Sequence, residues 1–220
     1  MNRKILGIVS GAALLLLFIV GTLVYKSEKV EPPAEQSARL RESLVRMHSP
    51  ALGKVDAPVV IVEFFDPACG TCRQFYPFVK QLMAAHPESI RLVLRYAPFH
   101  KGSDKVVAVL EAARKQNKFW PALEALLGAQ DDWVVNHTVR FERIWKPLEG
   151  VGLDLDRVRA DMGAPEIAAV IAQDIKDAVA LDVTRTPEFF VNGKGLDVFG
   201  YDELGRLVKE AVASSGPSRR

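Results

Sequence analysis

Hydrophobic residues are arranged along this chain in three successive patterns: an uncharged run, a polar stretch and a long region of alternating character. The uncharged run extends from Ile5 to Tyr25 and is long enough to cross a bilayer. Charged residues follow at 26–29 with no convincing small-x-small cleavage site before them, so we expect an uncleaved transmembrane signal anchor over residues 1–25. Removal as a signal peptide is the alternative. Residues 26–49 are polar and include a Pro-Pro pair, which predicts a tether.

The region 50–214 mixes strand and helix patterns and predicts a single α/β domain. Runs of β-branched and aromatic residues predict strands at 59–65 and 90–96, and apolar residues at helical spacing predict a helix between them, at 74–85. The other predicted elements are helices across about 103–181, strands at 188–191 and 196–199 flanking a turn, and a helix at about 202–213. A polar, flexible tail is expected at 215–220.

Composition argues against several function classes. The formal net charge is only +2, and basic and acidic residues are interspersed, so no nucleic-acid surface is expected. The 4 histidines are scattered without ligand spacing, which supplies a zinc site poorly. We expect neither a metal nor a cofactor.

The 2 cysteines of the chain stand together as Cys69-Gly70-Thr71-Cys72, between the first predicted strand and the first predicted helix of the domain. Such a pair can be a catalytic dithiol, half a zinc site or a structural bridge. A bridge across so short a loop restricts the unfolded chain little, which favours the dithiol. A pair of soft thiolates can also hold Cu(I), so a copper-handling protein is the rival hypothesis.

A cysteine at a helix N-terminus has a lowered pKa, because unpaired backbone N–H groups and the helix dipole stabilise its thiolate. Cys69 is therefore the expected nucleophile, and Cys72, one helical turn further in, the resolving thiol. The intervening Gly70 and Thr71 are expected to tune the redox balance. A redox dithiol in a single-span protein favours placing the domain in an oxidising compartment.

Three stretches together resemble the DsbA-like thioredoxin-fold oxidoreductases of the bacterial cell envelope. They are Glu63-Phe64-Phe65 before the cysteines, the stretch from Ala112 to Trp133, and Thr186-Pro187 with the strand and turn that follow. The resemblance covers about residues 50–213. It implies an α/β thioredoxin fold with an inserted all-helical domain at about 103–181, here preceded by an N-terminal transmembrane helix. Gly70-Thr71 replace the Pro-His of the best-known oxidant of the family, so an intermediate redox potential is expected.

The resemblance also implies roles for residues outside the dithiol. It places Glu63 as a buried acid beneath the cysteines, able to exchange protons with Cys72; an exposed charge paired with an arginine is the alternative. It makes the Thr186–Pro187 bond cis, with Pro187 packed beside the disulfide and the backbone of Thr186 offered to an extended substrate. A proline that opens an edge strand is the alternative.

Other residues are expected at the rim of the site or in the core of the helical block. Residues 66–68 and 96–100 are expected to rim the site, with His100 as a surface residue rather than a base. Aromatic residues of the helical block are expected to pack its core rather than to contact substrate. They are Phe119, Trp120, Trp133 and Trp145.

The resemblance implies a thiol–disulfide oxidoreductase that introduces disulfides into exported proteins. Its expected partners are cysteine-containing exported substrates and a membrane redox partner, either DsbB-like or a reductase. The expected location is the bacterial inner membrane, held through residues 5–25, with the catalytic domain in the periplasm. A soluble periplasmic protein after signal cleavage is the alternative. A disulfide reductase or isomerase of the same fold stays open beside the Cu(I)-binding hypothesis.

Overall fold

The computed structural model describes residue 40 and residues 42–216. The predicted anchor at 1–25, most of the tether and the last residues of the tail lie outside the described residues. No helix within the described part of the chain is long and apolar enough to cross a membrane. The description that follows concerns the compact unit that begins at Glu42.

Five strands in residues 42–216 form one mixed sheet in the order β1-β3-β2-β6-β7. These strands are β1 Ala51–Leu52, β2 Val59–Phe65, β3 Ile90–Tyr96, β6 Glu188–Val191 and β7 Lys194–Gly195. The central strand β2 runs parallel to β3 and antiparallel to β6. Its sequence, VVIVEFF, suits a strand that is buried on both faces.

The two faces of β2 pack against different layers. One face contributes Ile61 and Phe65 to the larger apolar core, which includes residues of the first and last helices of the fold. The other face contributes Val62 and Phe64 to a smaller core beneath the long helix that ends the insertion. Alternation along the strand therefore directs Glu63 toward the larger core, on the side of the cysteines.

The last hairpin differs from the prediction. Its second strand lies at Lys194–Gly195 rather than at 196–199, because Val191 pairs directly with Lys194. Asn192 and Gly193 both have positive φ, +49° and +88°, as a two-residue hairpin turn requires. The predicted turn was two residues too long, which displaced the strand.

Helices surround the sheet, and most of them belong to one insertion between β3 and β6. They are α1 Gly70–Ala85, α2 Ser103–Arg114, α3 Phe119–Gly128, α4 Gln130–Trp133, α5 Trp145–Leu148, α6 Leu155–Asp161, α7 Pro165–Ala180 and α8 Tyr201–Ser214. Short 3-10 turns lie at Phe141–Arg143 and Glu149–Val151. The predicted helical block is confirmed, and we call the segment from α2 to α7 the helical insertion.

The insertion is not all-helical as expected. It contains a hairpin of β4, Val134–Val135, and β5, Thr138–Val139. The turn between these strands is Asn136-His137, where φ is +49° and +56°. Paired β-branched residues on both sides of an asparagine favour this hairpin over a helix.

Buried aromatic residues fill the core of the insertion, as predicted. Trp133 is fully buried, and its Nε1–H donates to the Leu126 carbonyl at 2.8 Å. Phe119 is also buried, while Trp120 and Trp145 are partly buried and pack against the same core.

A buried ion cluster joins the start of the unit to β3 and α7. Arg95 of β3 is fully buried, and its guanidinium lies 2.8 Å from Asp174 and 2.6 Å from Asp177. Arg46 also binds Asp177, at 2.8 Å, and His48 lies 2.7 Å from Asp174. These contacts hold residues 46–48 against the long helix of the insertion.

Candidate active site

The two cysteines lie at the N-terminus of α1. Cys69 is the residue that caps the helix, with extended backbone angles of −79° and 119°, and the helix begins at Gly70 rather than near the predicted residue 74. Both cysteines are free thiols, Cys69 with 5 % of its surface exposed and Cys72 with none. The sulfur of Cys69 is therefore the one that a second molecule can reach.

Local hydrogen bonds lower the pKa of Cys69 to about 5. The largest contribution comes from the Cys72 thiol, and it outweighs the opposing effect of burial. The Thr186 side chain and the backbone N–H groups of Cys72 and Thr71 add to it. Cys69 is thus a thiolate at neutral pH, the form that attacks disulfides.

Cys72 shows the opposite shift. Burial raises the pKa of this thiol well above its usual value, and its hydrogen bond to Cys69 and the negative charge of Glu63 raise it further. Cys72 therefore keeps its proton where Cys69 has lost its own. The two thiols are three residues apart and chemically distinct.

Glu63 lies in the middle of β2, with Leu94 and Phe189 as its neighbours on the adjacent strands. The residue is fully buried, and neither carboxylate oxygen has a hydrogen-bond partner within the described part of the chain. Burial, together with the negative charge of Cys69, raises the pKa of Glu63 well above its usual value. This excludes the alternative of an exposed charge paired with an arginine.

Thr186 and Pro187 complete one side of the site. The bond between them is cis, as the resemblance implied, and Pro187 is buried. The Cys69 sulfur lies 3.2 Å from the Thr186 carbonyl oxygen, to which it donates only in its protonated form. This contact brings together a loop before β6 and the start of α1, which are 117 residues apart in the chain.

Gly70 and Thr71 lie between the cysteines on the first turn of α1, and both are partly exposed. A Cβ atom on Gly70 would meet only the side-chain oxygen of Gln130, at 3.9 Å. The surface beside the cysteines is therefore open at this position.

Asp66 is a residue of the site that sequence reasoning placed only at its rim. It is fully buried and starts the active-site loop, which we define as residues 66–69. Its carboxylate accepts the Ala68 N–H at 2.8 Å and, with the other oxygen, the His100 N–H at 2.8 Å. The ring Nδ1 of His100 also lies 2.8 Å from that oxygen.

His100, expected as a surface residue rather than a base, is only partly exposed. Only 19 % of its side chain is exposed, because the ring is held by the buried Asp66 and stacks on His137 at a centroid distance of 5.7 Å. A histidine that follows a strand gives no sign of such a partner, since Asp66 is 34 residues away.

Gln130 was missed altogether. The residue is buried, and its amide donates to the Pro67 carbonyl at 2.8 Å and to the Cys69 carbonyl at 3.1 Å. It comes from the helical insertion, and nothing in its local sequence indicates a role near the cysteines.

Among the residues that the structure describes, no group of three or more His, Cys, Asp or Glu side chains could hold a metal ion. The two thiols are a pair of soft ligands that could hold Cu(I).

Comparison with known proteins places this fold and site in a family. The family model described as Thioredoxin matches residues 46–210. The chain belongs to the thioredoxin family. A thioredoxin-like oxidoreductase from Silicibacter pomeroyi DSS-3 is similar in structure, with a TM-score of 0.68 and 32 % identity over 80 % of this chain and 99 % of the other. This family membership and the paired cysteines confirm the predicted class, a thiol–disulfide oxidoreductase.

Two further solved structures share the fold at lower identity. BdbD from Bacillus subtilis, in its oxidised form, has a TM-score of 0.66 at 23 % identity over 75 % of this chain and 93 % of BdbD. The thiol-disulfide exchange protein α-DsbA2 from Wolbachia pipientis has a TM-score of 0.66 at 20 % identity, over 80 % and 94 % of the two chains. The DsbA-like form of the thioredoxin fold is therefore confirmed.

Sequence relatives include larger proteins of another description. The Na(+)/H(+) antiporter NhaA 3 of Salinispora tropica is 35 % identical over 167 residues, which are 74 % of this chain and 24 % of the antiporter. The chain thus spans about a quarter of the length of the curated relatives that it matches.

Proposed function

We propose that this thiol–disulfide oxidoreductase acts as an oxidase, which donates the Cys69–Cys72 disulfide to pairs of thiols in exported proteins. The observation that carries this direction is the low pKa of Cys69, about 5. A stabilised thiolate favours the reduced protein over its disulfide form. The disulfide therefore transfers readily to a substrate whose own thiolates are less stable.

The reaction has two exchange steps. A substrate thiolate attacks the sulfur of Cys69 in the disulfide, the Cys69–Cys72 bond breaks, and Cys72 leaves with the electron pair. A second substrate thiolate then attacks the substrate sulfur of the mixed disulfide and releases Cys69 as a thiolate. The substrate loses two electrons and the protein gains them, so the protein ends as the dithiol.

Glu63 is proposed as the proton donor to Cys72 in the first step. Its raised pKa favours the protonated carboxyl group, and the raised pKa of Cys72 means that the leaving sulfur takes a proton. In the reverse direction the same pair returns the proton.

Substrate contact is proposed at the exposed edge of the site. Thr186 and Pro187 would align an extended substrate through backbone hydrogen bonds, with Gly70 and Thr71 facing it from the start of α1. The partial exposure of Thr186, Gly70 and Thr71 supports this arrangement.

The proposed setting is the periplasmic face of a bacterial inner membrane. Residues 5–25 would anchor the chain, and the residues from 26 to about 41 would serve as the tether. The predicted tether ended at 49, but residues 42–49 belong to the compact unit that begins at Glu42 and carries the site. A DsbB-like membrane protein would then re-oxidise the dithiol. Signal cleavage would instead release a soluble periplasmic protein with the same chemistry.

The test is the equilibrium of the dithiol with glutathione, measured on the purified protein with a Cys69→Ser variant as the control. A potential of about −120 to −180 mV would support the oxidase. A value near −270 mV would reverse the direction and assign a reductase kept reduced by a membrane donor. Tight stoichiometric Cu(I) binding without exchange would instead favour the copper-handling hypothesis.

A further inference from the structure

Gln130 connects the helical insertion to the active-site loop through a single buried amide. Its Nε2 group donates to the carbonyl of Pro67 at 2.8 Å and to the carbonyl of Cys69 at 3.1 Å. An amide NH₂ group offers two hydrogens, so both donors are used on this loop. Only 3 % of the residue is exposed, and water therefore competes weakly for these bonds.

The Cys69 carbonyl oxygen accepts a second hydrogen bond besides the one from Gln130. It accepts the Arg73 N–H at 3.2 Å, which is the first hydrogen bond of α1. Gln130 holds this carbonyl from outside the helix and the Pro67 carbonyl two residues earlier. The extended conformation of Cys69 at the cap is thus fixed on both sides, and its sulfur is directed toward the N–H groups of Thr71 and Cys72.

We propose that Gln130 is a positioning residue, through which the helical insertion holds the nucleophile Cys69 in the orientation needed for thiol exchange. The inference rests on the proposed function, in which Cys69 is the attacked and attacking sulfur. It predicts that loss of the two hydrogen bonds weakens stabilisation of the thiolate even when the fold is retained.

A purely structural role, in which Gln130 only fastens the insertion to the sheet, makes a different prediction. Gln130→Met separates the two, because methionine has nearly the same length and flexibility but no donor. Gln116→Met is the matched control: its amide also makes two backbone hydrogen bonds, to Asp154 N and O at 2.9 and 3.0 Å, within the same insertion. The side-chain hydrogen bonds of Gln116 involve neither the cysteines nor the active-site loop.

The experiment follows the thiolate absorbance at 240 nm against pH in the full-length reduced protein, in a transparent non-ionic detergent. Cys69 and Cys72 are the only thiols in the chain, so the low-pH transition reports Cys69. We expect Gln130→Met to raise the pKa of Cys69 by about 0.5–1 pH unit, the size of one lost hydrogen bond. The glutathione equilibrium should shift about threefold to tenfold toward the protein disulfide. Gln116→Met should leave both as in the wild type.

If the Cys69 pKa in Gln130→Met equals that of the wild type, the inference is overturned and Gln130 has only a structural role. If that variant does not fold, Gln130→Leu decides the matter, because leucine has no hydrogen-bond donor and adds no charge beside Cys69. An unchanged Cys69 pKa in a folded Gln130→Leu protein would also overturn it. The titration requires no exchange with glutathione, so a failure of the proposed function would be seen separately, as absent exchange in the wild type.

Discussion

Replacement of Glu63 by glutamine tests the electrostatic basis of the site directly. The buried carboxyl group keeps its proton in the folded protein, whereas the unfolded chain releases it above the usual pKa of 4.5. A raised pKa contributes stability that is complete below the unfolded value and is lost as the pH rises toward the folded one. Each pH unit within that interval costs the wild type about 1.4 kcal/mol relative to a residue that does not titrate.

The assay is urea denaturation of oxidised wild-type and Glu63→Gln protein. In the disulfide form the cysteines do not titrate and so add nothing to the pH dependence, while burial is the largest cause of the Glu63 shift. Between about pH 5.5 and about pH 6.5 the free energy of unfolding of the wild type should fall relative to that of the variant, by up to about 1.4 kcal/mol.

Glu203→Gln is the control for this measurement. A hydrogen bond from Arg206 lowers the pKa of Glu203, so this carboxyl group is ionised in both the folded and the unfolded state over the same pH interval. The difference in the free energy of unfolding between the wild type and Glu203→Gln should therefore not change with pH. A flat difference for Glu63→Gln as well would refute the reasoning, since it would mean that Glu63 is ionised or hydrated in the folded protein.

Three further predictions concern the cysteines and the core. Alkylation of the reduced protein by iodoacetamide should rise with pH around a midpoint near 5 at Cys69 and leave Cys72 unmodified at neutral pH, as peptide mapping would show. Arg95→Ala should lower the free energy of unfolding by about 3–5 kcal/mol, because two buried aspartates lose the fully buried partner that they share; a loss below about 1 kcal/mol in urea denaturation would contradict the cluster. Trp133→Ala should cost about 3–5 kcal/mol by the same assay, and a near-neutral result would show that the insertion core repacks.

The strands and helices nearest the cysteines could be predicted because their signals are local. A β-branched run at 59–65 and apolar residues at helical spacing after Cys72 are sufficient for the β2–α1 unit. The errors arose where two conformations compete over few residues. The β4–β5 hairpin interrupts a block of helices, and β7 begins immediately after a two-residue turn.

The missed parts of the site share a different cause. The contact of Asp66 with His100 and the contacts of Gln130 with the active-site loop join segments that are 34 to 63 residues apart. Polar side chains become site residues here only when the fold brings a buried partner to them. Neither residue has a periodic pattern or a motif that would reveal the partner. Such contacts follow from topology rather than from local propensity.

The opposite pKa shifts of the two cysteines have different origins, one in the local sequence and one in the fold. Both belong to the first turn of one helix, and the motif itself is symmetric in residue type. Position at the helix N-terminus favours the thiolate of Cys69, and this effect could be inferred from the sequence. The raised pKa of Cys72 depends instead on burial and on its hydrogen bond to Cys69, and ionisation of the buried Glu63 would raise it further. One hydrogen bond between the thiols then links the shifts: the proton that Cys72 retains stabilises the charge on Cys69. Loss of the buried surroundings of Cys72 would therefore weaken the nucleophile as well as the resolving thiol.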